Sequence, residues 1–288
     1  MCQRCRLAAL LVLSLALLLT GCTPKQASGD TSPKSLSKQE KLMIGGSGSN
    51  LTVTHKLADA FAPQSTHPIE LPASLGSGGG IRGTLNDSLD LGLISRPLTD
   101  DEKGYGLVEV PYARSGIAVA VHPSVPDDNL TAEDVLAIYQ GKKVCWSNGA
   151  TIVPMLMYEK DSTNEVLSET LPGFSEVLLD ALADNRWQVF FNQQDYEAAL
   201  QATPYSIGFV DCANAADNSL KWLTYHEEEP TPANIAAGRY PFYKTLSYVY
   251  LKTLSPKARA FVDFTFSPAG QSILKDNNCL PLSRQGFS

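Results

Sequence analysis

Leu75-Gly76-Ser77-Gly78-Gly79-Gly80-Ile81-Arg82-Gly83 places four glycines in five positions, Gly76 and Gly78 to Gly80, broken only by a hydroxyl. Glycine backbones reach positive φ and approach other groups closely, so the run reads as a loop that presents N–H groups. Ile81 and Leu85 follow at helical spacing, which predicts a helix whose first turn begins inside the glycines. Unpaired N–H donors and the positive end of a helix dipole then coincide, and that combination binds anions.

Ile69 to Leu71, just upstream, is a candidate strand, so the run sits in a strand, glycine loop, helix unit. An earlier copy runs from the apolar Leu42-Met43-Ile44 through Gly45-Gly46-Ser47-Gly48-Ser49-Asn50 into Leu57, Ala58 and Phe61 at helical spacing. A later one runs from Thr151 to Met157 through Tyr158-Glu159-Lys160 into Asp161-Ser162-Thr163-Asn164. Its helix carries Val166, Leu167 and Leu171 and stops at Pro172-Gly173. Alternating units of this kind predict an α/β fold with a largely parallel sheet. Leu89 to Ile94 is an apolar run that Pro97 stops, which puts Ser95 and Arg96 at the strand edge where ligands of open α/β sheets sit. Leu107 to Val110 and Gly116 to Val121 read as one long crossing segment able to join two lobes. Thr131-Ala132-Glu133-Asp134 resembles a capping box ahead of a helix that Gly141 closes. Phe174 to Leu182, Tyr196 to Leu200, Ala258 to Phe264 and Ala269 to Leu274 read as helices, and Ser206 to Val210 and Leu246 to Leu251 as strands.

Residues 1–21 read as a secretory signal, with Arg4 and Arg6 ahead of an apolar core from Leu7 to Leu19. Leu19-Thr20-Gly21-Cys22 resembles the lipobox of bacterial lipoproteins, in which the cysteine is lipidated and becomes the new N-terminus. Residues 22–41, rich in Ser, Thr, Lys, Pro and Gly, read as a flexible tether. Cys2 and Cys5 leave with the signal. With Cys22 lipidated, Cys145, Cys212 and Cys279 allow at most one internal disulfide, with the pair left open. Removing Arg4 and Arg6 from 23 basic residues leaves 21 against 30 acidic ones, a net charge of −9. So acidic a chain lacks the basic surface that nucleic-acid binding requires, and any anion must be held locally.

Hydroxyls and N–H groups from three loops, Ser47, Ser49, Ser77, Ser162, Thr163 and Asn164, fit a small oxyanion, because a buried anion needs its acceptors filled. Ordinary helix capping is the competing use of the same residues. Arg82, Arg96, Arg114 and Lys160 are the candidate cations. Arg96 is placed to grip an oxyanion with two parallel bonds, or else to pair with Asp100 or Asp101. An enzyme is disfavoured. There is no G-x-S-x-G elbow, and His55, His67, His122 and His226 match no metal motif. Tyr240, Phe242, Tyr243, Tyr248 and Tyr250 read as core packing.

From Ile44 to Leu282 the chain resembles the phosphate-binding lipoproteins that feed bacterial phosphate ABC importers. These belong to the two-lobed periplasmic binding protein class, type II. The markers are Gly46-Ser47-Gly48-Ser49, Gly76-Ser77-Gly78-Gly79-Gly80-Ile81, Asp90-Leu91-Gly92 with Ser95-Arg96-Pro97-Leu98, and Gly116-Ile117-Ala118-Val119. Ile138-Tyr139-Gln140-Gly141-Lys142, Trp146-Ser147, Ile207-Gly208-Phe209-Val210, Tyr240-Pro241 and Phe266-Ser267-Pro268-Ala269-Gly270-Gln271 follow in order. The resemblance implies that each lobe is a mixed sheet flanked by helices, with the ligand cleft between them. The first lobe is expected from 42–115 and 246–288, the second from 116–245. It further implies a monomer without cofactor or catalysis, anchored outside the membrane, that passes inorganic phosphate or a related oxyanion to ABC permease subunits. A sensory or interaction lipoprotein on the same lobes is the alternative. The ligand-binding residues carried over are Ser47, Gly48, Ser49, Ser77, Gly78, Ser95, Arg96, Ser162, Thr163 and Asn164. The family's third loop usually reads Ser-Gly-Thr, an arginine often stands where this chain has Tyr158, and some members carry a carboxylate where it has Ser95. The balancing charge is therefore expected from Arg96, Arg114 or Lys160.

Overall fold

The computed structural model describes residues 41–213 and 219–284. The signal, Cys22 and all of the tether but Lys41 lie outside the described residues. The first unit is strand β1 (Leu42–Gly46) and helix α1 (Gly48–Phe61), and the second is β2 (Ile69–Glu70) and α2 (Gly76–Leu85), followed by β3 (Leu91–Ile94). β1 pairs in parallel with β2 and β3, Ile44 opposite Leu91. Then come α3 (Asp100–Gly104), the long β4 (Leu107–Val121), β5 (Asn129–Leu130) and α4 (Ala132–Tyr139). The Thr131 and Asp134 side chains cap α4 reciprocally, as their spacing predicts. β6 (Val153–Met157) and α5 (Ser162–Thr170) form the third unit. α6 (Phe174–Ala183), β7 (Gln188–Phe190), α7 (Gln193–Ala202), β8 (Ser206–Asp211), β9 (Lys221–Tyr225) and α8 (Pro232–Ala236) continue it. The chain closes with β10 (Tyr243–Leu251), α9 (Pro256–Thr265), α10 (Pro268–Asp276) and β11 (Cys279–Pro281).

The glycine run is helical throughout α2 rather than an open loop. Its glycines serve close packing: a Cβ on Gly80 would stand 2.7 Å from the Leu93 carbonyl oxygen, and one on Gly46, at φ +147°, only 2.2 Å from the same atom. α2 thus lies directly on the backbones of β1 and β3.

The main strand order is β2-β1-β3-β10-β4-β8-β6-β7. The expectation of a largely parallel sheet is corrected here, because the sheet is mixed. β10 runs antiparallel to both β3 and β4, and β4 runs antiparallel to β8, β9 and β11. β10 returns to the sheet only after the whole β5 to α8 stretch and slots between β3 and β4 in the opposite direction, which makes both pairs antiparallel. Two apolar cores flank this junction. Leu42, Ile44, Leu57, Phe61, Tyr112, Tyr248 and Phe261 build one, and Ile117, Val119, Ile138, Tyr139, Phe174, Phe209 and Phe242 the other. β4 supplies Tyr112 to the first and Ile117 to the second. Tyr112 and Tyr248 stack with centroids 4.4 Å apart, and Tyr240, Phe242 and Tyr248 are fully buried, in keeping with a packing role. Cys145, Cys212 and Cys279 are free thiols, and burial pushes the Cys279 thiol up to about 12.

Candidate functional site

α1, α2 and α5 begin around one cleft of about 440 Å³. α1 starts where β1 ends, because Gly46 turns the chain under Leu93 and Ser47 donates its N–H to the Leu93 carbonyl at 2.9 Å. Neither Ser47 nor Leu75 caps its helix with a side chain. At α5 the cap is Asp161, whose carboxylate accepts the Thr163 N–H at 2.8 Å. The serines at these helix starts are therefore not engaged in ordinary capping, which leaves their hydroxyls for other partners.

Ser95, at the end of β3, joins the three segments. Its Oγ lies 2.7 Å from Ser47 Oγ and 2.9 Å from Ser162 Oγ, and its N–H donates to Ser77 Oγ at 3.2 Å. Ser47, Ser95 and Ser162 are all buried. Of the ten residues expected at the site, Ser47, Gly48, Ser49, Ser77, Gly78, Arg96 and Ser162 line the cleft, whereas Ser95, Thr163 and Asn164 do not. Asn164 spends both amide donors on the Met157 and Tyr158 carbonyls at 3.0 Å, which fixes the turn from β6 into α5.

Lys244 on β10 is a member of this cluster that sequence reasoning missed. Its Nζ donates to Ser49 Oγ at 2.8 Å, Thr163 Oγ1 at 2.8 Å and Asp211 Oδ2 at 3.1 Å. Both ions of the Lys244–Asp211 pair are fully buried. The available signal is a lone lysine in a strand of otherwise aromatic, aliphatic and hydroxyl residues, Tyr243 to Leu251.

Arg96 lines the cleft, but its guanidinium grips Glu102 through two bonds of 2.8 Å, with Glu165 at 3.9 Å. That hydrogen bonding holds the Glu102 carboxyl at about 2 and raises Arg96 in turn. The partner is thus neither Asp100 nor Asp101, since Glu102 is the residue that the Thr99 capping box brings back to the helix start. Arg114 lies over the Tyr243 ring at 5.0 Å and does not line the cleft. Lys160 and Arg82 do line it, and among the described residues neither forms an ion pair. Glu165, also in the lining, is half-buried, and desolvation pushes its carboxyl up. Phe191, 77% exposed, stacks against Tyr158 at the rim. A second hollow of about 730 Å³ lies beside Pro97, Leu98 and Tyr243. His122 closes a local turn with the Ser124 hydroxyl at 2.8 Å, whereas His226 accepts the Ala132 N–H at 3.2 Å, tying the residue after β9 to the start of α4. The cleft is a concentration of N–H and O–H donors, which suits capture of an anion.

The family model described as the PBP superfamily domain matches residues 27–269. The phosphate-binding protein PstS of Borreliella burgdorferi is 24% identical over 218 residues, covering 71% of this chain and 77% of that protein. PstS of Bacillus subtilis is 23% identical over 267 residues, 90% of this chain and 86% of that one. A Clostridium perfringens substrate-binding protein solved with bound phosphate superposes with a TM-score of 0.76 at 26% identity, covering 85% of this chain and all of that one. An ABC-type phosphate transport receptor from Vibrio cholerae shares the fold, with a TM-score of 0.61 at 19% identity over 83% of this chain and 99% of that one. With helix starts and buried serines gathered at one cleft of a mixed α/β sheet, the chain belongs to the PBP superfamily of solute-binding proteins and is PstS-like within it.

Proposed function

We propose that the chain is an extracytoplasmic lipoprotein, anchored through Cys22, that captures inorganic phosphate and delivers it to an ABC permease. The observation that carries this reading is the convergence of three helix N-termini with Ser47, Ser49, Ser77 and Ser162 on one cleft. Each helix N-terminus acts as roughly half a positive charge, so three offset most of a dianion while their N–H groups fill its acceptors. The proposed ligand contacts are the first-turn N–H groups of α1, α2 and α5, including those of Gly78 and Ser162, and the serine hydroxyls. Arg82 and Lys160 add positive charge at the rim.

The lobes are proposed as 42–115 with 246–288 and as 116–245. The division at 115/116 falls inside β4 and the one at 245/246 inside β10, so these two strands would carry the hinge over which the lobes close. The two apolar cores support it, since apart from Ala213 in the first and Leu280 packed on the second their members divide along that line. Another small oxyanion is the second reading. Arg96, the cation best placed to choose among anions by bidentate geometry, is already held by Glu102.

Calorimetric titration of ligand-stripped protein with phosphate, sulfate and a neutral sugar tests the proposal. Heat with phosphate at one site per chain is expected. Heat with sulfate alone supports the second reading, and no heat with any oxyanion refutes both.

A further inference from the structure

A lysine ammonium has three N–H donors and no acceptor. On Lys244 all three are spent on Ser49 Oγ, Thr163 Oγ1 and Asp211 Oδ2, at 2.8, 2.8 and 3.1 Å, and none is left for a ligand. Lys244 therefore does not touch an anion in the cleft. Its effect on Ser49 is specific, however. Ser49 Oγ accepts from a cation, so one lone pair is taken and its own hydrogen cannot point back along that bond. The hydroxyl is thereby turned into a donor, and Ser49 lines the cleft. Ser47, Ser95 and Ser162 differ, since in each of their mutual contacts either oxygen can donate.

A buried ion pair is costly to desolvate and is weak evidence for stability. This pair is not arranged for stability alone, because Asp211 Oδ1 is buried without a hydrogen-bond partner. Nor is it local: Lys244 ties the start of α1, at Ser49, to the first turn of α5, at Thr163. We propose that Lys244 is a positioning residue of the anion site, which fixes Ser49 as a donor toward the bound oxyanion and registers the α1 start against that of α5. Positive charge then reaches the ligand through a polarised hydroxyl, while Arg96 stays with Glu102. The inference rests on the oxyanion reading given above.

The test is a cycle on the full chain, with phosphate Kd measured by calorimetry. Its members are wild type, Ser49→Ala, the charge-neutral exchange Lys244→Met with Asp211→Asn, and the triple variant. Ser49→Ala and the exchange are each expected to weaken binding about tenfold, with the triple variant no weaker than Ser49→Ala, because the lysine acts through that hydroxyl. Losses that multiply in the triple variant mark a merely structural pair and overturn the inference, as does wild-type affinity in the exchange variant. A readout that needs no change at position 244 is the ¹⁵N signal of the Lys244 ammonium. It is expected to shift when phosphate is added to wild type and to stay in place in Ser49→Ala. A signal unmoved in wild type that does bind phosphate overturns the inference alone. Wild type that binds no phosphate overturns the functional reading and this inference with it.

Discussion

Gly80→Ala is expected to destabilise the protein where Gly78→Ala does not, although both replace a glycine of α2 by the strongest helix former. In a helix interior the exchange favours the helix by up to about 1 kcal/mol. At Gly78 nothing opposes it, since the new Cβ meets only the flexible end of Arg82, at 3.4 Å from Nη1. At Gly80 the new Cβ falls 2.7 Å from the Leu93 oxygen and 3.1 Å from Gly46 Cα, both backbone. These atoms belong to paired strands, and the same Leu93 carbonyl accepts the Ser47 N–H, so the helix must move instead. Overpacking costs about 1–3 kcal/mol, and weakening the Ser47 bond adds about 1 kcal/mol. Set against the propensity gain, the net loss is ~2 kcal/mol, or ~4–8 °C in Tm for a domain of this size. The assay is thermal unfolding of ligand-free wild type and both variants by circular dichroism. Gly80→Ala melting at or above wild type would refute the close-packing argument, as would Gly78→Ala melting as low as Gly80→Ala.

Ser95→Ala removes the hydroxyl that bridges Ser47 and Ser162, leaving two buried groups short of a partner. It should cost ~1–3 kcal/mol in urea unfolding and weaken oxyanion binding in calorimetry. Glu102 has its carboxyl lowered to about 2, so its pairing stabilises the fold fully above its unfolded value of 4.5 and loses that contribution as pH falls toward 2. Glu102→Gln should therefore be less stable than wild type at pH 7 by denaturant titration, with the gap closing as the pH falls through that window. Glu165 is raised by desolvation, so its charge is lost earlier on acidification than that of an ordinary carboxyl. An anion of constant charge should bind more tightly as the pH falls through that range, and Glu165→Gln should flatten the profile.

What could be read from the sequence was local. The three strand, loop, helix units end in Ser47, Ser77 and Ser162, and short-range spacing is enough to place each serine at a helix start. Arg96 was half legible: its acidic neighbours were plain, but only the cap geometry at Thr99 selects Glu102 over Asp100 and Asp101. Thr163 and Asn164 carry site-like chemistry, yet one accepts from Lys244 and the other bonds the Met157 and Tyr158 carbonyls, both away from the cleft lining. Lys244 stood out only as a lone lysine in an otherwise uncharged strand, and its role could not be read because its partners lie 195, 81 and 33 residues away. No local pattern encodes a contact that arises only once β10 has inserted between β3 and β4. The same insertion is why a succession of apparently parallel units became a mixed sheet.

The central claim is that one oxyanion sits where three helices begin, and mapping backbone amide shifts by ¹H–¹⁵N correlation during a phosphate titration tests it most directly. Shifts that saturate at one equivalent and concentrate at Gly48, Ser49, Ser77, Gly78, Ser162 and Thr163 are predicted. Shifts gathered at the second hollow, around Leu98, Tyr243 and Thr245, or the absence of any saturable change, would contradict it.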